Sequence, residues 1–116
     1  MRRGDVYLVD LEPVRGSEAN KTRPAVIVSN NAANRAAERS GKGVLTVVPV
    51  TSNIARIYPF HVLLTAADCG LASDSKAQAE QVRTISVRRF GRRLGSVPAE
   101  AMSALDDALC RHLSLS

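Results

Sequence analysis

Tryptophan is absent from the chain, and the remaining aromatics are only Tyr7, Tyr58, Phe60 and Phe90. An RRM-like platform stacks successive bases on aromatic side chains, so this scarcity argues against that mode of RNA binding. Cysteine is nearly absent too: Cys69 and Cys110 make no CxxC pair and no disulfide framework, which fits a reducing compartment. No apolar run approaches the ~20 residues of a membrane span. The opening MRRGD turns acidic where a signal peptide would begin its apolar stretch. A soluble, cytoplasmic protein without a membrane partner is therefore expected. P-loop, GxGxxG and HExxH motifs are all missing, which removes their nucleotide and zinc chemistry from consideration.

Against these absences stand 116 residues, 45% of them hydrophobic, with runs such as VLTVVPV. That length suits one domain, residues 1–116, with enough apolar surface to offset chain entropy. Lysine and arginine total 16 against 11 acidic residues, for a net charge of +5. Only Lys21, Lys42 and Lys76 are lysines. Arginine dominates, and its planar fork suits bidentate contacts to phosphate or carboxylate, so an anionic partner is expected.

Asp5–Leu11 alternates as a strand should, and the stretch 12–22 is dense in turn formers. Pro24–Ser29 and Gly43–Val50 read as buried strands, with Pro49 at an edge or a bulge. Asn30-Asn31 caps a helix that runs to about Arg39 and stops at Ser40-Gly41. Pro59–Thr65 is a strand, and an irregular stretch follows through Asp74. Ala79–Ser86 and Arg92–Val97 are short strands. A last helix starts at Pro98 with Met102, Leu105, Leu109 and Leu113 on one stripe. The order implies an α+β fold on a small, mostly antiparallel, barrel-like sheet.

Three groupings could carry chemistry. His61 and His112 would make an acid–base pair only if the fold brought a strand and a helix end together; each also reads as an ordinary structural residue. Asp68 with Asp74-Ser75-Lys76 loosely imitates a two-carboxylate metal nuclease, but such triplets arise often by chance and a solvated loop is the expected reading. Arg23 at the start of one buried strand and Thr51-Ser52-Asn53 just past another could together bind a phosphate. Their bland alternatives are a rim cation and a turn. Glu80-Gln81, on a later strand, is equally ambiguous.

RGDVYLVDLEPVRGSEANKTRPAVIVSNN, then VVPVTSN, then AEQVRTIS and a closing amphipathic helix resemble the MazF/PemK family of bacterial toxin endoribonucleases over essentially the whole chain. Tyr7 stands where the family often has Trp, and Ala19 where it often has Gln. The resemblance implies an SH3-like (CcdB/MazF-like) barrel with a short helix and a C-terminal helix. It implies a metal-independent ribonuclease, without cofactor, cutting single-stranded RNA at a short sequence through the substrate's own 2′-OH. The products would be a 2′,3′-cyclic phosphate and a 5′-OH. Carried over by position, Arg23 and Thr51 form the catalytic pair, and Ser17, Glu18, Asn20, Lys21, Ser52, Asn53, Glu80 and Gln81 face the RNA. A homodimer would hold RNA across its two subunits, and a cognate acidic, MazE-like antitoxin would block the groove. Arginine is always charged, which suits Arg23 to phosphate stabilisation, not to the role of general base. Two alternatives are a CcdB-like gyrase poison, whose family uses a C-terminal Trp that this chain lacks, and a non-catalytic nucleic-acid-binding barrel.

Overall fold

A computed structural model describes residues 1–12, 16–17 and 22–115. Its strands are β1 (Asp5–Asp10), β2 (Thr22–Ile27), β3 (Val44–Thr51), β4 (His61–Leu64), β5 (Ser75–Gln78), β6 (Arg83–Ser86) and β7 (Phe90–Ser96). The helices are α1 (Asn31–Ser40), α2 (Ala66–Cys69) and α3 (Ala99–His112). The sheet runs β4-β5-β3-β2-β1-β7, with β6 also paired to β3, and every pairing is antiparallel. Among the described residues it does not close on itself, so the expected barrel is an open sheet ending at β4 and β7.

Alternate residues of the central strands feed two cores. Val6, Val26, Val48 and Val50 pack on one side with Leu105 and Ala108 of α3. Val9, Ala25, Ile27, Leu45 and Val47 pack on the other with Ala37 of α1. This two-sided burial explains why β2 and β3 read as continuous apolar runs. Helix α1 begins where expected: the Asn30 side chain accepts from Ala33 N at 2.8 Å, and Gly41 ends the helix at φ 67°. Helix α3 starts after Pro98, and its stripe is core through Leu109, while Leu113 is half exposed.

Pro49 corrects the sequence reading, because it lies in a central strand and not at an edge. Strand β3 pairs with β6 from Val44 to Val47 and with β5 at Val50 and Thr51. Pro49 falls between these ladders. Val28 N–H donates to Thr46 O across β2 and β3 at 2.9 Å, and hydrogen-bonding residues alternate along an antiparallel pair. Counting by twos, the missing N–H of Pro49 faces away from β2, into the gap between β6 and β5. By the same count, Pro24 would have to donate to Val50 and cannot. The β2–β3 ladder accordingly stops at Ala25–Pro49.

The stretch expected to be irregular contains α2, strand β5 follows it where no element was expected, and Ala79–Gln81, expected as strand, is a 3-10 turn before β6. A tight seam fixes this region: a Cβ on Gly70 would collide with the Leu94 carbonyl, and one on Gly95 with the Cys69 carbonyl. Gly70 also has φ +73°. Gly95→Ala should therefore destabilise the fold by about 2–3 kcal/mol through overpacking against rigid backbone, read as a lower urea midpoint. An unchanged midpoint would mean that the seam yields freely.

Candidate active site

Where the β2–β3 ladder ends, the strands part and a cavity of about 380 Å³ opens. Thr22, Arg23 and Pro24 of β2, Val50 and Thr51 of β3, and Ser52 line one side. Leu71, Ala72, Ser73 and Ser75, which follow α2, line the other. The two prolines that interrupt the ladders thus bring Arg23 and Thr51 to the mouth of one pocket. A guanidinium and several hydroxyls at one concave site suit a phosphate group.

Thr51 Oγ1 accepts from Asn53 N at 3.2 Å, which leaves the hydroxyl proton available to donate. The chain beyond it is held by a series of short contacts. Asn53 Oδ1 accepts from Ala55 N at 3.3 Å, and Arg56 Nη1 donates to the Tyr58 hydroxyl at 3.3 Å. Tyr58 N donates to His61 Nδ1 at 3.1 Å. Because Nδ1 accepts, the ring proton of neutral His61 belongs on Nε2, which lies 3.3 Å from Glu80 Oε2. The His61 side chain is only 4% exposed and both ring nitrogens are engaged, so it is a fixed joint of the fold. His112 ends α3 and is exposed, and no contact joins the two histidines.

The structure distributes the other sequence candidates unevenly. Ser52 and Asn53 are exposed beside Thr51. Glu80 turns one carboxylate oxygen to His61, and its other, Oε1, is buried without a hydrogen-bond partner. Gln81 Nε2 donates to the Ser17 carbonyl at 3.3 Å, linking the turn after β5 to the first loop. Glu18, Asn20 and Lys21 lie outside the described residues. Of the metal-nuclease candidates, Asp74 accepts from Ala66 N at the start of α2, and Lys76 donates to the Arg56 carbonyl. Among the described residues, no three His, Cys, Asp or Glu side chains gather as metal ligands. No residue pattern pointed to the wall of Leu71, Ala72, Ser73 and Ser75, because its placement depends on the glycine seam between α2 and β7.

The arginine cluster at 88–93 is largely occupied by the fold. Arg89 donates to the Asp10 carbonyl at 3.4 Å and to that of Glu12, and Arg93 pairs with Asp5 at 3.3 Å. Burial, followed by the nearby Asp5 and Glu38 charges, pushes the Tyr7 hydroxyl above its ordinary pKa. Its ring meets Phe90 edge-on at 5.8 Å, so it serves the core.

The open antiparallel sheet with three helices and this pocket matches the fold of MazF toxins. MazF from Deinococcus radiodurans superposes with a TM-score of 0.80 at 27% identity, covering 98% of this chain and 96% of that one. A mycobacterial endoribonuclease in complex with its cognate antitoxin gives 0.78 at 28% identity, covering 100% and 97%. The model of the PemK-like, MazF-like toxins of type II toxin–antitoxin systems matches residues 2–113, and the chain belongs to that family. Endoribonuclease MazF9 of Mycobacterium tuberculosis is 59% identical over 115 residues, spanning 99% of this chain and 98% of that protein. No helix among the described residues is long and apolar enough to cross a membrane.

Proposed function

We propose that the protein is a toxin endoribonuclease that cuts single-stranded RNA at the cavity between Arg23 and Thr51. The observation that carries this reading is the convergence of these two side chains on one pocket at the ladder's end. Membership of the toxin family and 59% identity to an endoribonuclease support it.

The reaction needs little beyond positioning and charge. The 2′-hydroxyl gives its proton to water as its oxygen attacks the adjacent phosphorus in line; the bond to the 5′-oxygen breaks, and a cyclic phosphate remains. Arg23 stabilises the extra charge on the phosphorane and hydrogen-bonds the leaving oxygen, which takes its proton from water. Thr51 donates to a non-bridging oxygen. Ser52 and Asn53, beside the pocket, hold the flanking nucleotides, together with Ser17, Glu18, Asn20 and Lys21 of the first loop. Glu80 and Gln81 stand behind this surface and brace it through His61 and Ser17. The whole chain acts as one domain and as a homodimer in the bacterial cytoplasm. An acidic antitoxin segment would compete with RNA for the same basic groove.

The test is to incubate the purified protein with mixed RNA in EDTA and sequence the cut ends. Cleavage at a short shared sequence, leaving 2′,3′-cyclic phosphate and 5′-OH, is expected. Binding without cleavage would favour the non-catalytic alternative, and loss of cutting in EDTA would favour a metal nuclease.

A further inference from the structure

We propose that Lys76 is a positioning residue of the candidate site, anchoring the segment that follows Thr51; this rests on the functional reading above. Lys76 is 8% exposed, in the middle of the buried run Ser75-Lys76-Ala77 on β5. Its register partner on β3 is Thr51 and its partner on β4 is Leu63. Directly opposed residues of an antiparallel pair share a face, with Cβ atoms about 4.5–5.5 Å apart. Its ammonium therefore arises beside Thr51 and reaches across to the chain beyond it, where Nζ donates to the Arg56 carbonyl at 2.7 Å.

Two features make this more than packing. Among the described residues Lys76 forms no salt bridge, and an apolar residue of similar volume at a buried ionic site is often neutral or stabilising. A charge retained in a buried run breaks the local rule where functional sites are expected to break it. The bond also has a specific mechanical place. Residues 52–59 are all exposed and lie outside the strands and helices. Contacts within this stretch join neighbours two or three residues apart, from Thr51–Asn53 to Tyr58–His61. These contacts hold the two ends of the loop to β3 and β4 and leave its middle without such a tie. The Lys76–Arg56 bond ties its middle to the sheet, so that Ser52 and Asn53 are presented beside the cavity in one arrangement.

Lys76→Met keeps the apolar stem and removes the charged donor; Lys76→Arg keeps a donor. For Lys76→Met, kcat/KM on a cleavable RNA should fall at least tenfold, with most of the loss in KM, while thermal stability is unchanged or higher. Amide exchange at Asn53, Ala55 and Tyr58 should accelerate while exchange in the central strands does not. Lys76→Arg should recover most of the lost kcat/KM. Should Lys76→Met not fold, Lys76→Leu is measured in its place, with the same expected and overturning results. Wild-type KM and loop exchange would overturn the assignment. Arg23→Ala measured alongside separates the two failures: if it too cleaves normally, the site itself is misplaced, whereas a dead Arg23→Ala with a normal Lys76→Met removes Lys76 alone.

Discussion

Arg23→Ala is expected to slow RNA cleavage by about 10²-fold or more, the cost of removing one preorganised donor to a developing oxyanion. At 1.36 kcal/mol per decade, that loss is about 2.7 kcal/mol of transition-state stabilisation. The effect should appear in kcat, because the charge that Arg23 meets is greatest on the phosphorane and smaller on the ground-state phosphodiester. Arg23→Lys should recover little, since an ammonium keeps the charge but lacks the planar fork that can grip two oxygens. Arg23 is only partly buried at the end of a ladder, so circular dichroism and the melting temperature should stay close to wild type. Thr51→Ala should also be slow, by a smaller factor, because a neutral hydroxyl is a weaker donor than a cation. Near-normal turnover by Arg23→Ala would place the reaction elsewhere.

A substrate carrying a single 2′-deoxy nucleotide on the 5′ side of the cut should bind but resist cleavage altogether. If the nucleophile is the substrate's own hydroxyl, removing it removes the attacking atom, whereas both ring nitrogens of His61 are already committed within the fold. The deoxy oligonucleotide should therefore act as a competitive inhibitor, with an inhibition constant near the KM of its ribose parent. Phosphate contacts dominate affinity and survive the change. Cutting of the deoxy substrate would instead require an activated water and would refute the intramolecular attack. The same experiment at two salt concentrations should shift both constants together, since both would report the same backbone contacts.

Much of this site was legible in the sequence, and the reasons differ from residue to residue. The strands bearing Arg23 and Thr51 are buried on both sides, so β2 and β3 announced themselves as apolar runs. Helix α1 carried its own start and stop in Asn30 and Gly41. Strand β5 gave no such signal. Its four residues, Ser75–Gln78, become a strand only because β3 and β4 flank them, and pairing outweighs the weak propensity of Lys and Gln. For the same reason Lys76 looked like part of a solvated loop. Glu80 was legible as a site neighbour, but its partner His61 lies nineteen residues away, a distance that only the fold closes. The open sheet was not foreseeable from pattern, because closure depends on how strongly the strands curl and not on which residues they contain.

Pro49 also acts as a stop against sliding. Strands β5 and β6 lie along the same side of β3, each with few residues, and short ladders of small and β-branched side chains are prone to shift in register. If β6 advanced toward the end of β3, or β5 retreated toward its beginning, a carbonyl would be brought opposite the one residue there that has no proton to give. Each wrong alignment loses a bond that the right one never asked for. The placement of Thr51 at the pocket is thus guarded on one side by a misalignment penalty, since sliding β5 toward β6 would set it against Pro49.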